Sequence, residues 1–407
     1  METTIKFKVE GMNEALKKVG VSLGKGYLCR VDLEHPKDEK YYMVITTNDG
    51  VAQTAATVYV SFVGEIPEAC KFVVGREFAN VVSTMGALGE EIKAVINDAT
   101  VIMSCGSAEI RLARMAEKDT EGRAVVEEFV FRPDSEMIIM NMEADGLRDA
   151  ILNTSYCADD DDSRGLRNLL QLNVHMHEKE DEKNGFGSVR CVVSDGYCAS
   201  VAEMKLTRAY RMVVQADENG GKSMKEVALT AGEDFFFVLP CDKIRQVAPQ
   251  LCKDVVIMVS KEFVIIRCVN DIYMLRRLVA GYPETFLNNI ETFGEQKIKV
   301  SSKEVAIALK LLEYASSNEN IVILETKKKK FVISDDGKHS VTEVKIEEGK
   351  DFPLFGLQLR LIKRAVEKAG IGGELVLRSA FNDKLIALNG TKGGTHYVCK
   401  CNIENKA

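Results

Sequence analysis

At 407 residues the chain is too long for one hydrophobic core, so two or three domains are expected. Its 46% hydrophobic and 28% charged residues are those of an ordinary globular protein, and no run reaches the ~18–20 apolar residues that span a bilayer. A net charge of -7 excludes a broadly basic surface, so any nucleic-acid role must rest on where the cations sit.

The N-terminus, Ile5-Lys6-Phe7-Lys8-Val9, alternates as a strand does and lacks a charged-then-apolar leader, so a cytoplasmic protein is expected. This strand opens the first of six copies of one pattern: a short strand, a turn, then an amphipathic helix. The other copies begin at Lys71–Val74, Met137–Met140, Phe235–Val238, Lys297–Val300 and Asp351–Leu354. Asn13, Asp145 and Ser301-Ser302 supply oxygens that accept from first-turn amides. Pro240 precedes the fourth helix, and Gly75 and Gly356 mark the turns at the second and sixth.

Strands follow each helix. Val255–Val259, Phe263–Cys268 and Tyr273–Leu275, with Asn270-Asp271 between the last two, read as an antiparallel meander. Ala94–Ile96, Val101–Met103 and Ile110–Leu112 repeat that layout around Asn97-Asp98. Each helix must bury its apolar side on a sheet. The expected architecture is therefore α+β, with six units pairing into three repeated two-layer domains: 1–132, 133–293 and 294–407. Asp159 to Asp162, the polar insertion around Asn219-Gly220-Gly221-Lys222, and Lys327 to Lys330 read as solvated loops or hairpin tips. The eleven cysteines include no CxxC and mostly lie in apolar runs, so free buried thiols are expected.

The middle of the chain bears recognisable motifs. Ala144-Asp145-Gly146-Leu147-Arg148-Asp149-Ala150-Ile151 leads through Asp162-Ser163-Arg164 to Val193-Ser194-Asp195-Gly196-Tyr197. Phe237-Val238-Leu239-Pro240 and Leu278-Val279-Ala280-Gly281-Tyr282-Pro283-Glu284 follow, then Ser317-Asn318-Glu319 and Tyr397-Val398. In order and spacing this set resembles the beta subunit of bacterial DNA polymerase III, the beta sliding clamp family, of which the chain looks like a divergent member.

The resemblance implies a non-catalytic processivity factor. Two subunits would close head to tail into a homodimeric ring around duplex DNA, without reading sequence, and tether the replicative polymerase. Partners would be DNA, the polymerase and clamp-loader subunits, the last two through short peptide motifs, with no cofactor, metal or membrane. Helix backs would face DNA, which implies roles for Lys25, Arg76, Arg148, Arg164, Lys243, Arg245, Lys303, Lys310, Arg360, Lys363, Arg364 and Lys368. In the sixth helix Arg360, Arg364 and Lys368 recur at i, i+4 and i+8 opposite the stripe Leu361, Ile362, Ala365, Val366 and Ala369.

The partner-peptide pocket would fall at Arg167, Ser194, Gly196, Tyr197, Cys198, Ala199, Pro283, Leu287, Val398 and Lys400. Arg167 replaces an expected leucine, and Tyr197-Cys198-Ala199 replaces a His-Arg-Leu run. The dimer seam would fall at Ile110, Arg111, Ala315 and Ser316. Two other readings stay open: a specialised clamp paralogue with an altered peptide pocket, and a cleft enzyme using His175 and His177. Against an enzyme, Gly20 to Gly26 is one residue short of a phosphate loop, and no third ligand is evident near the two histidines.

Overall fold

The computed structural model describes residues 2–20, 29–34, 41–64, 70–126, 136–158, 167–177, 187–216, 222–269, 271–290, 292–315, 321–327, 330–335, 340–349 and 352–401. Among these residues a strand runs into a helix six times, and each time a three-strand antiparallel meander follows. The first module is β1 (Thr3–Lys8), α1 (Val9–Val19), β2 (Cys29–Glu34), β3 (Tyr41–Asn48) and β4 (Ala52–Phe62). The second is β5 (Cys70–Val74), α2 (Glu77–Met85), β6 (Glu91–Ile96), β7 (Thr100–Cys105) and β8 (Ala108–Ala113). The third is β9 (Glu136–Glu143), α3 (Ala144–Thr154), β10 (Leu169–Met176), β11 (Gly187–Ser194) and β12 (Cys198–Leu206), extended by a hairpin of β13 (Arg208–Ala216) and β14 (Lys222–Ala228). The fourth is β15 (Phe235–Pro240), α4 (Cys241–Val247), β16 (Asp254–Val259), β17 (Phe263–Cys268) and β18 (Asp271–Arg276). After α5 (Glu284–Ile290) comes the fifth: β19 (Phe293–Ser301), α6 (Ser302–Ala315), β20 (Ile321–Lys327), β21 (Lys330–Asp335) and β22 (Val341–Glu348). The sixth is β23 (Phe355–Gln358), α7 (Leu359–Ala369), β24 (Glu374–Ala380), β25 (Leu385–Asn389) and β26 (Thr395–Cys399).

The chain divides into two compact units: Met1–Asp145 with Arg208–Leu229 and Pro249–Arg277, and Gly146–Thr207 with Thr230–Ala248 and Leu278–Ala407. Each has its own sheet. The first holds fourteen strands along β14-β13-β9-β16-β17-β18-β4-β1-β6-β7-β8, with β2, β3 and β5 branching from β4. The second holds twelve, in the order β15-β10-β11-β12-β26-β25-β24-β19-β22-β21-β20-β23. Alternating burial fits this arrangement: Ile5 and Phe7 of β1 join Met12, Leu16, Phe72, Phe78 and Ile92 in one core. Truncating Phe78 there would cost about 3–5 kcal/mol.

Strand pairing couples the modules reciprocally. The opening strand of one pairs with the first meander strand of its partner: β1 with β6 and β5 with β2. The same exchange joins β9 with β16 and β15 with β10, then β19 with β24 and β23 with β20. A backbone bond recurs with it. The first amide of α1 donates to Glu90 O (2.9 Å), that of α3 to Lys253 O (2.8 Å) and that of α6 to Gly373 O (3.0 Å). In each case the acceptor lies just before the partner's first meander strand.

That bond explains a departure from expectation. Asn13 does not start the first helix; α1 begins four residues earlier, at Val9, without a side-chain cap, and its first amide is satisfied by Glu90 O instead. The sixth opening strand lies four residues beyond the expected Asp351–Leu354, at Phe355–Gln358, so Gly356 is inside the strand and not at its turn. Helix α5 and the β13–β14 hairpin were not anticipated as elements. Among the described residues no helix is long and apolar enough to cross a membrane.

Candidate functional site

Helix α7 is the most strongly amphipathic, and its neighbours fix its sides. Leu361, Ile362, Ala365, Val366 and Ala369 are buried, while Arg360 and Arg364 are exposed at the opposite pole beside Glu367. On one flank Lys363 Nζ meets Glu313 Oε2 of α6 at 2.6 Å, and this hydrogen bond holds the ammonium above its usual range. On the other flank Lys368 Nζ donates to Leu152 O of α3 at 3.0 Å. Burial lowers the Lys368 ammonium, with Lys392 adding repulsion. Lys363 and Lys368 thus tie α7 to its neighbours, and Arg360 and Arg364 are left as its outward cations.

Beneath this row lies His396 of β26, fully buried. Its Nδ1 meets Ser200 Oγ at 2.9 Å and Tyr156 Oη at 3.2 Å. Its Nε2 has no hydrogen-bond partner among the described residues. Burial, then the nearby Lys368 charge, push this imidazole down to about 4, so it is neutral.

The other expected cations divide by helix. Lys303 and Lys310 of α6 are exposed, yet they flank a pole formed by Ile307, Leu311 and Tyr314, the last 76% exposed. Lys243 and Arg245 of α4 are half-buried, and Arg148 of α3 lies 3.6 Å from Asp149. Arg76 is the exposed residue preceding α2 in the first unit. Lys25 and Arg164 lie outside the described residues.

The residues expected to form a peptide pocket gather at one end of β12, β26 and β25 in the second unit. The Ser194-Asp195-Gly196 turn folds by local chemistry: Asp195 Oδ1 accepts from the amides of Tyr197 and Cys198, both at 2.7 Å, and Gly196 takes φ +88°. Cys198 then registers with Val398 and Ala199 with Tyr397. Tyr282 Oη accepts from Ser194 N (2.8 Å) and donates to Leu169 O (2.8 Å), and burial pushes its ionisation well above the usual range.

Pro283 O accepts from the amides of Phe286 and Leu287, which starts α5 and lays Phe286 and Leu287 on the core of Val192, Ala199, Ile290, Leu385 and Tyr397. The guanidinium of Arg167 sits 5.3 Å from the centre of the half-exposed Tyr197 ring. Lys400 is exposed, with its ammonium 5.4 Å from the Phe355 ring centre. The arrangement is a partly open apolar surface bordered by cations, suited to an extended peptide with apolar anchors. Helix α5 itself was not legible from the sequence, which pointed only to Pro283 and Leu287.

Of the expected seam residues, Ile110 and Arg111 are exposed on β8, which pairs only with β7 among the described residues. Ala315 is exposed at the end of α6, and Ser316 lies outside the described residues. Strand β22 pairs with β21 from Val341 onward but with β19 only at Ile346 and Glu348. One edge of its first residues is therefore unpaired by any described strand. For the cleft-enzyme reading, His175 Nδ1 meets Asp234 Oδ2 at 3.0 Å, with both side chains about half exposed. Among the described residues no three His, Cys, Asp or Glu side chains are grouped to hold a metal ion.

No protein-family model matches the sequence, and no curated protein matches it. Solved structures do. The chain is similar to the DNA polymerase III beta subunit of Thermotoga maritima, with a TM-score of 0.71 and 18% identity over 98% of this chain and 99% of that one. It is similar to the DNA polymerase III subunit beta of Pseudomonas aeruginosa, with a TM-score of 0.74 and 13% identity over 99% and 100%. The DNA polymerase sliding clamp of Bacillus subtilis gives 0.72 and 13% over 99% and 100%. Spanning both chains end to end, these likenesses show that the protein has the fold of the DNA polymerase III beta subunits, the sliding clamps.

Proposed function

We propose that this chain is a DNA sliding clamp: a non-catalytic, cytoplasmic processivity factor that closes as a homodimeric ring around duplex DNA and tethers a polymerase. The observation that carries this reading is the pairing of six modules by reciprocal strand exchange, in a fold matched over its full length to clamps. The exchange supports three domains, 1–132, 133–293 and 294–407. Within the chain the third meander strands also pair across domains, β4 with β18 and β12 with β26. By that rule β8 and β22 are left over, and head-to-tail pairing of β8 with the β22 of a second copy completes the sheet on both sides of the ring.

DNA contact would come from the outward helix cations, above all Arg360 and Arg364, as phosphate contacts without base readout. The apolar surface around Tyr197, Leu287 and Val398 would take peptides from the polymerase and the clamp loader. Arg167 stacked on Tyr197 favours the narrower reading of a specialised clamp whose pocket accepts a different peptide.

The test is retention on nicked circular DNA after loading by a bacterial clamp loader. A clamp stays through a high-salt wash and leaves when the circle is cut once. Salt-sensitive binding that is indifferent to linearisation would refute encirclement.

A further inference from the structure

Two cysteines meet in the first unit without a part in the clamp reading. Cys252 follows α4 and is exposed; Cys268 ends β17 and is fully buried. Their sulfurs are 3.4 Å apart. The Cys252 amide donates to Cys268 Sγ (3.1 Å), and the Cys268 thiol donates to Cys252 O (2.9 Å). The residue after each takes the left-handed conformation without being glycine: Lys253 at φ 59° and Val269 at φ 52°. A β-branched residue persists there only when its surroundings over-determine it. Two constrained turns therefore converge on one sulfur pair, at the place where Lys253 O also caps the first amide of α3.

We infer that Cys252 and Cys268 form a redox-active dithiol, a modification site that closes to an intramolecular disulfide by exchange with a small-molecule disulfide. In the first step the Cys252 thiol gives up its proton, and its sulfur attacks the reagent's S–S bond. One reagent thiolate leaves, and a mixed disulfide forms on Cys252. In the second step Cys268 gives up its proton, and its sulfur attacks Cys252 Sγ. The Cys252–reagent bond breaks, and the second reagent thiolate leaves. Each thiolate takes up one of the released protons, so two protein thiols are oxidised and one reagent disulfide becomes two thiols. The exposed sulfur meets the reagent, and the buried one resolves it.

Burial pushes the Cys268 thiol up to about 11. The second step therefore speeds up as pH rises toward that value, because only the thiolate attacks. The product ties the entry of β16 to the exit of β17 and fixes the carbonyl that caps α3.

The test treats the folded, full-length, reduced protein with glutathione disulfide, then denatures it and alkylates the remaining thiols. Titratable thiols are expected to fall from eleven to nine, with no glutathione retained and Cys252 joined to Cys268 on peptide mapping. In Cys252→Ser, a surface change that preserves the fold, neither crosslink nor adduct forms at Cys268. A lasting glutathione adduct on Cys252 with Cys268 still alkylated would overturn the inference. So would no reaction, or a two-thiol loss that survives Cys252→Ser. Loss of DNA encirclement would leave this result untouched, because the dithiol does not rest on that reading.

Discussion

His396 is neutral where it sits, and its cost is written in pH. Its pKa is about 4 in the folded chain against about 6.5 unfolded, so the unfolded state takes up the proton first as pH falls. Stability is full above about pH 6.5, falls between 6.5 and 4, and levels below 4. Moving from pH 7 to pH 5 should cost about 2 kcal/mol through this group, and His396→Gln should remove that part of the slope. Urea unfolding of both proteins at the two pH values is the measurement; an unchanged slope in the variant would rule out the assignment.

The ion pair of Lys18 with Asp271 (2.8 Å) joins two partly desolvated charges. Burial opposes both charges. Asp271 and Glu14 more than restore the ammonium, whereas Lys18 does not fully restore the deeper carboxylate, whose pKa stays raised. The carboxylate is the more deeply buried partner, its side chain only 5% exposed, so the contact holds α1 to β18 without contributing much net stability. None of these partnerships was legible in the sequence. They join residues about 200 or more positions apart, and no local pattern encodes them.

At the scale of elements the reading from sequence was better. Each opening strand but the last was legible because period two gives way to a helical period over a few residues. The sixth failed because Pro353 and Gly356 punctuate the text on either side of the true start. The cationic stripe of α7 was legible, but which of its members point outward was not, since Lys363 and Lys368 are taken by neighbouring helices. The consequence can be measured. Arg360→Ser with Arg364→Ser removes no buried contact, so the fold should survive while DNA affinity falls and the dependence of log K on log salt loses about 2 units of slope. An unaltered slope would take α7 out of the DNA surface.

Edge strands give the other prediction at this scale. Ile110→Asp places a charge on β8, whose outer edge no described strand pairs and whose pairing with a second copy would then bury it. Dimer dissociation should rise by about tenfold or more in sedimentation, about 1.4 kcal/mol. A wild-type protein monomeric at every concentration, or a variant as dimeric as wild type, would contradict the proposed seam.

For the whole molecule, periodicity disclosed six modules but not the way they share sheets. The two compact units arise because the central pair splits its strands: β9, β13, β14 and β16–β18 belong to one sheet, β10–β12 and β15 to the other. Backbone pairing between distant strands decides that division, and side-chain patterning leaves no trace of it. The same limit applies to the extra hairpin, whose polar tip resembles any other loop.

The reciprocal exchange of opening strands bears on how the chain is made. On a ribosome the first pair can close once β8 has emerged, but β12 must wait for β26, the last of the described strands, before one of its edges is covered. Through that interval a half-finished polypeptide presents a bare hydrogen-bonding edge, and its protection falls to whatever meets nascent chains.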